Sequence, residues 1–488
     1  LFCRLQSNLW HSTIKPTFGT TVHLPLPEIP TVQRHSFRHE IKQLLTLGSP
    51  IIVTQLAQAA MGFVDTLVAG QYSTLDLAAV ALGSSIWLPL FLTCTGLLMA
   101  TTPLVAHATG AGQLQSIVTF FRQGLWISLL CGIGCVAFLF SADWILNVMS
   151  VEQDLAAKTM EYLKAIAWGF PALLLYQLLR SYFEGLGKTR PAMHIALFAL
   201  LANIPLNYIF VFGKLGFPEM GAAGCGWASA AVMWMMLALG WAVMHYKTQL
   251  HLPRFTLPWI DLRAFGQFLR LGIPMGISIL IESSMFSVIA LLLAPSGVLI
   301  VASHQITMTF TGLIFMIPLS LAIACTIRVG QMNGAGNPSA AWFTAKAAMV
   351  LTSCIALITS ISIWLLARPI AELFTSEAAV ISMASSLLLI AALFEISDAL
   401  QVTAAGALRG YKDTSYPLLI VFIAYWVIGL PLGYILGLTD LLIPAIGAAG
   451  FWYGLVIGLS VAALLLIIRL KRVAHRAIHS DTTHYTHS

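Results

Sequence analysis

The sequence predicts an all-α polytopic membrane protein, with twelve transmembrane helices arranged as two six-helix lobes related by internal duplication. Three observations predict it. Apolar residues make up 58% of the 488 residues and charged residues only 9%, with a mean hydropathy of +0.87. A soluble domain of that size needs far more polar surface to cover itself. Runs of about 20 or more mostly apolar residues, long enough to cross a bilayer, recur twelve times. Finally, Leu47, Gly48, Pro50, Leu56, Met61 and Gly110-Ala111-Gly112 return 224 positions later as Leu271, Gly272, Pro274, Leu280, Met285 and Gly334-Ala335-Gly336. Later in each half, Pro205-Leu206 and Gly221-Ala222-Ala223-Gly224 return at an offset of 226 as Pro431-Leu432 and Gly447-Ala448-Ala449-Gly450.

Residues 1–43 are polar, contain Pro and lack the apolar core of a signal peptide, so they are expected to form a disordered cytoplasmic extension. The first lobe, 44–245, carries helices at about 44–69, 77–106, 119–142, 160–183, 191–212 and 220–245. A connection at 246–265, containing Pro253 and Pro258, forms a cytoplasmic linker and marks the lobe boundary. The second lobe, 266–470, carries helices at about 266–294, 299–329, 341–367, 379–405, 415–437 and 446–470, followed by a cytoplasmic tail at 471–488. An even number of spans per copy sets both copies the same way up, related by an axis along the membrane normal, an architecture common among secondary transporters. Of the 25 Lys and Arg residues, all but Lys158, Lys164, Lys214 and Arg368 fall in the terminal segments and the even-numbered connections with their flanks. By the positive-inside rule both termini are cytoplasmic. The formal charge of +6 therefore reports orientation in a membrane, with no nucleic acid as partner.

Several signals lead nowhere. The seven Cys are odd in number, lack C-x-x-C spacing and lie nearly all in predicted spans, so they read as small apolar side chains. Gly185-Leu186-Gly187-Lys188-Thr189 ends like a phosphate-binding loop, but Tyr182 stands where its first Gly belongs. Histidines 475, 479, 484 and 487 are scattered through a polar tail, and neither a metal nor another cofactor is expected. Pro50 and Pro274 hold equivalent places early in the first helix of each lobe, where a missing donor and a ring clash weaken or bend a helix. Pro50 lies on the same helix as Asp65, so a bend there would move that carboxylate.

Asp65, Glu282, Glu395 and Asp398 lie inside predicted spans. A central acid costs roughly 2.5 to 3.5 kcal/mol by insertion scales, so four cost on the order of 10 kcal/mol, as much as the stability of a typical domain. Acids persist there when they face a water-filled cavity and bind cations or protons. Neutralisation by a neighbouring base is disfavoured, since no Lys or Arg lies within two turns of Asp65 or Glu282 along the chain. Nor are the acids inherited scaffold: at the 224 offset Asp65 meets Ile289 and Glu282 meets Gln58. Glu395 and Asp398 are i and i+3, hence neighbours on one helix face, where like charges favour holding a proton; Glu395 alone could equally face a loop or lipid. Phe286 lies one turn after Glu282 and suits an organic cation, or simply packing. Asn203 and Asn207 are i and i+4, offering amide oxygens that complete a site around Asp65 or hydrogen bonds between helices.

These residues resemble the multidrug and toxic compound extrusion (MATE) transporters, within them the NorM-type bacterial branch. The resemblance rests on Met61-Gly62-Phe63-Val64-Asp65-Thr66, Asn203-Ile204-Pro205-Leu206-Asn207, Pro218 through Gly226, Arg328-Val329-Gly330 and Ala404-Ala405-Gly406-Ala407-Leu408-Arg409-Gly410-Tyr411-Lys412-Asp413, and spans about 40–472. It implies the MATE fold, two six-helix lobes around a central cavity, and export of cationic and amphiphilic drugs in exchange for Na⁺ or H⁺. It further implies coupling-cation binding at Asp65, Asn203, Asn207, Glu282 and Asp398, an aromatic role for Phe286 in the second-lobe site, and a bend at Pro50. One departure is Phe394, where relatives can carry Tyr; another is Glu395, where some carry an amide. Glu395 with Phe286 is thus a further candidate proton or substrate site.

The expected protein is a monomeric secondary transporter of the bacterial inner membrane whose partners are lipids and cationic drugs. It is not expected to be an enzyme. Two alternatives remain: a flippase for a lipid-linked precursor, which would want a cationic cavity where the core here reads as acidic, and an intramembrane enzyme using Glu395 and Asp398 as acid and base. A major facilitator is disfavoured, because His107 to Gln115 lacks the acidic and Arg-rich motif expected after its second helix.

Overall fold

The computed structural model describes residues 36–247 and 259–485. In a bilayer each backbone polar group must be satisfied within its own segment, so a chain this apolar folds as helices. They are α1 (Phe37–Tyr72), α2 (Thr74–Leu98, resuming after a turn as Thr101–Gly110), α3 (Leu114–Phe140), α4 (Gln153–Ala167 and Phe170–Gly185), α5 (Arg190–Phe212) and α6 (Ala222–Lys247). The second half holds α7 (Leu262–Leu293), α8 (Val298–Gly334), α9 (Pro338–Glu372), α10 (Ala378–Gly410), α11 (Ser415–Leu438) and α12 (Ala448–Tyr485). Among the described residues eleven helices are long and apolar enough to span a membrane, and the bent pair in α4 makes the twelfth.

Proline chemistry explains where the helices deviate. The two pieces of α4 meet at 47°, because Pro171 at the start of the second piece cannot donate to Ala167 and its ring clashes with that carbonyl. In α11, Ile423–Gly429 widens into a π-helical turn just before Pro431, which lacks the N–H that Val427 would receive. By contrast α1 and α7 run unbroken through Pro50 and Pro274. In both, a hydroxyl one turn on bonds the proline carbonyl: Thr54 Oγ1 to Pro50 O and Ser278 Oγ to Pro274 O, each at 2.8 Å. Such bonding itself slightly destabilises and bends helices.

Several expected boundaries move. α1 begins at Phe37, so residues 37–43 are helical rather than a disordered extension, because Glu40 and Leu44 are buried against the second half. α12 continues past 470 to Tyr485, with Leu470 and Ala474 buried along it, so 471–485 is not a structureless tail. Most of the 246–265 linker, and the extension before residue 36, lie outside the described residues. Among the cysteines, Cys135, Cys225 and Cys325 are buried, but Cys94 and Cys131 are half-buried and Cys354 is exposed.

The two halves exchange the starts of their first helices. Leu44, Leu47 and Ile51 of α1 pack into a core made by α8, α9, α10 and α12. Their counterparts at the 224 offset, Phe268, Leu271 and Met275 of α7, pack into the core of the first half. The lobes expected at 44–245 and 266–470 thus each surrender one helix start to the other. The ends of α2 and α8 then meet reciprocally, with Gly110 against the Gln331 carbonyl and Gly334 against the His107 carbonyl, leaving no room for a Cβ at either glycine.

Candidate functional site

Two polar constellations occupy the helix bundle. The first lies within the first half. Asp65, on α1, accepts hydrogen bonds at Oδ1 from Asn203 Nδ2 at 3.1 Å and Asn207 Nδ2 at 2.7 Å, both from α5. Its Oδ2 accepts from the Ser229 hydroxyl of α6 at 2.7 Å. The i, i+4 spacing that sets both amides on one face of α5 also lets Asn207 donate to the Asn203 carbonyl at 3.0 Å, locking its amide plane. Both amide oxygens, Asn203 Oδ1 and Asn207 Oδ1, are buried with no partner within the protein. Buried acceptors without donors are costly. A carboxylate with two unsatisfied amide oxygens and a hydroxyl is a set of hard oxygen ligands that suits a small cation, while the carboxylate alone suits a proton. Sequence reasoning placed the amide oxygens around Asp65; instead the amide nitrogens face it and the oxygens are left to receive something else.

The second constellation lines a cavity of about 380 Å³. Glu282 and Phe286 of α7 stand on its wall with Gln401 and Arg409 of α10; Gln55 of α1 and Arg180 with Glu184 of α4 stand there too. Glu282 Oε1 accepts from Gln401 Nε2 at 3.2 Å, and the Arg409 charge reaches Glu282. Phe286 meets Phe394 edge-on, ring centres 6.5 Å apart, and so presents a braced aromatic face. Arg180 is the best-satisfied group in the cavity, donating to Glu184 Oε1 at 2.8 Å, Gln58 Oε1 at 2.9 Å and Gln55 Oε1 at 2.7 Å.

The duplication has left a cross-lobe symmetry here. Gln58 and Glu282 are counterparts, and each meets an arginine from the fourth helix of its own half: Gln58 contacts Arg180, and Glu282 lies within reach of Arg409. Glu184 is in turn the counterpart of Arg409, since Gly185 packs on Val105 and the Thr102 carbonyl as Gly410 packs on Val329 and the Thr326 carbonyl.

Three expectations need correction. The acids expected to face a water-filled cavity do not all meet at this one: of Asp65, Glu282 and Asp398, only Glu282 lines it, while Asp398 is buried within electrostatic reach of Glu282. The cavity is not simply acidic, because Arg180 and Arg409 stand among its acids; chain distance hid the tertiary approach of Arg409 to Glu282. Finally, Glu395 and Asp398 are adjacent on α10, yet Glu395 faces a tight cleft with Pro318, Thr352 and Thr359 on the α8–α9 side, its Oε1 without a partner. It does not join Phe286. The Arg180–Glu184 pair was missed although its i, i+4 spacing announced it, and Ser229 carried no signal, since serines are common in spans. The phosphate-loop look-alike is a helix stop: Gly187, at φ +74°, closes the end of α4. Among the described residues no group of three or more His, Cys, Asp or Glu could hold a metal.

Comparison with known proteins places these features. The MatE family model matches residues 50–209 and again residues 274–435, one match per repeat. The chain is 47% identical over 458 residues to the multidrug resistance protein PmpM of Pseudomonas aeruginosa, covering 93% of this chain and 95% of that one. It is 43% identical over 442 residues to the probable multidrug resistance protein NorM of Idiomarina loihiensis, covering 90% and 95%. Its fold matches the eukaryotic MATE transporter AtDTX14 at a TM-score of 0.82 and 23% identity, covering 91% of this chain and 99% of that one.

Proposed function

The chain belongs to the MatE family of multidrug and toxic compound extrusion transporters, and from that membership we propose that it exports cationic and amphiphilic drugs in exchange for inward-moving Na⁺ or H⁺. It is a multi-pass membrane transporter, not an enzyme. The observation that carries the reading is Glu282 standing beside Phe286 on the wall of the 380 Å³ cavity. A carboxylate next to an aromatic face, in a largely apolar pocket, holds an organic cation by charge and cation–π attraction.

The geometry supports two means of coupling. At Glu282 a drug cation and a coupling cation compete for one carboxylate, so loading one expels the other; Asp398, buried behind the cavity wall, belongs to this coupling site. At Asp65 the coupling ion binds apart from the drug, with Asn203, Asn207 and Ser229 as partners. α1 connects the two, carrying Asp65 and also Gln55 and Gln58, which hold Arg180 on the cavity wall. A shift of α1 about Pro50 transmits loading at Asp65 into the cavity. Glu395, enclosed on the α8–α9 side, is proposed as a proton-holding group rather than a drug contact.

The flippase alternative fits less well. Arg180 is paired with Glu184 and Arg409 stands opposite Glu282, so the cavity offers a pyrophosphate no uncompensated pair of cations. The proposed setting is the bacterial inner membrane, with both termini cytoplasmic by the distribution of Lys and Arg, and the chain working as a monomer without a cofactor. Drug efflux from proteoliposomes under a Na⁺ gradient alone, then a pH gradient alone, tests the reading. Efflux under neither gradient, with folded protein, sinks it.

A further inference from the structure

A second cavity, of about 580 Å³, opens at the end of the molecule where α7 begins, α10 passes into α11 and α12 ends its span. Four cations line it: Arg270, Lys412, Arg469 and Arg476. Only Arg469 is answered by an acid, Asp413 at 2.7 Å, and its guanidinium also lies over the Tyr416 ring at 3.6 Å. Arg270, Lys412 and Arg476 have no acidic partner among the described residues. Thr414, which stands between this cavity and the Glu282 cavity and lines both, is 4% exposed, and its hydroxyl oxygen is buried without a hydrogen-bond partner. Burial lowers the Lys412 ammonium below its ordinary range, the mark of a cation short of compensating charge.

The duplication shows that this cluster is not inherited scaffold. The counterparts of Arg270, Lys412 and Arg469 in the first repeat are Thr46, Gly187 and Val243. The comparison of Lys412 with Gly187 is the sharpest. α4 and α10 close with the same hydrogen bonds, Lys188 N–H to the Phe183 carbonyl and Asp413 N–H to the Leu408 carbonyl, both 2.9 Å. The residue before each takes a left-handed backbone, Gly187 at φ +74° and Lys412 at φ +62°. Glycine adopts that conformation without penalty and lysine does not. The second repeat keeps a strained, partly buried lysine where its twin shows that glycine suffices.

We propose that this cavity binds the phosphate-bearing headgroup of an anionic phospholipid, with Arg270, Lys412 and Arg476 around the phosphate and the Thr414 hydroxyl donating to it. A lipid is favoured over a free anion because the wall carries apolar surface that is not buried, Val473 partly exposed and the Tyr416 ring half exposed, against which an acyl chain can lie, while Leu104 and Leu271 form its buried floor. Tyr416, half exposed beside Arg469, is the kind of aromatic that settles at the headgroup level. Basic pockets between transmembrane helices are established headgroup sites. Leu104 belongs to α2 and the rest of the wall to the second half, so a bound lipid would touch both halves.

The test uses the full chain in phosphatidylcholine nanodiscs titrated with short-chain phosphatidylglycerol. Each basic residue near an anionic surface contributes about 1 kcal/mol, so Arg270→Gln, Arg476→Gln and Lys412→Gly should each weaken phosphatidylglycerol binding about five-fold. Lys412→Gly suits its backbone, and its melting temperature should hold or rise while binding falls, which separates lost affinity from misfolding. Inorganic phosphate should not displace the lipid. Unchanged binding in Lys412→Gly, displacement by inorganic phosphate, or equal binding of added phosphatidylcholine overturns the proposal.

Discussion

The Ser229 hydroxyl donates to Asp65 Oδ2 at 2.7 Å, on the opposite side of the carboxylate from both asparagines. Ser229→Ala therefore distinguishes the two coupling ions by sign. If the ion is H⁺, losing a donor that favours the charged carboxylate makes proton loading easier, and proton-driven efflux should shift to higher pH by about one unit. If it is Na⁺, the hydroxyl oxygen is a ligand, and its loss should raise the half-saturating Na⁺ concentration about five- to ten-fold. The readout is the ion dependence of drug efflux in proteoliposomes; no change in either profile would remove Ser229 from the site.

Glu282→Gln keeps a hydrogen bond to Gln401 but deletes the charge that faces drug and Arg409 alike. We expect efflux of a monovalent cationic dye to fall at least ten-fold. Melting temperature should fall too, since Arg409 then lacks a compensating charge. The double variant Glu282→Gln/Arg409→Gln should recover much of the melting temperature and none of the efflux. Recovery of efflux in the double variant would argue that the pair is structural.

Glu40 and Arg328 form a buried ion pair at 2.7 Å, with Thr344 donating to the other carboxylate oxygen at 3.1 Å, tying the start of α1 to α8 and α9. Removing one partner of such a pair typically costs about 3 to 5 kcal/mol. Glu40→Gln should lower the melting temperature far more than Glu372→Gln, which removes an exposed i, i+4 partner of Arg368 worth a few tenths of a kcal/mol. Equal shifts in thermal unfolding would contradict the assignment.

Gly110 and Gly334 permit the two carbonyl contacts that close α2 against α8. Alanine at either would overpack the crossing by about 1 to 3 kcal/mol and so deplete this conformation in favour of one with the ends apart. Spin labels at Leu114 and Ser339, both exposed or near the surface on the helices that follow, should report longer distances in Gly110→Ala and Gly334→Ala. Gly266→Ala, which meets nothing within 4 Å, should leave the distances unchanged.

Helix number and duplication were legible because they live in composition and spacing, which the bilayer reads directly. The Asp65 site was legible for a related reason: one acid in an apolar run, and two asparagines one turn apart on a neighbouring helix. What the sequence withheld was tertiary. Arg409 is remote in sequence from Glu282 yet within its electrostatic reach, so a search for bases along the chain found none. Glu395 and Asp398 do feel each other's charge, as their spacing suggested, but Asp398 is also within reach of Glu282 while Glu395 lines the cleft beside α8 and α9, a difference that spacing along one helix does not carry. Nor could the pattern reveal that α1 and α7 begin in each other's cores, since Leu44 and Phe268 are equally apolar and periodicity does not say against what.

That exchange bears on how the chain is made. The opening of α1 leaves the ribosome before the other eleven spans, but the side chains that cover Leu44, Leu47 and Ile51 come from α8 through α12. During synthesis it must wait, inserted but uncovered, until nearly the whole polypeptide has emerged. Co-expressing the two halves as separate polypeptides should therefore rescue each from proteolysis, whereas neither half alone should accumulate.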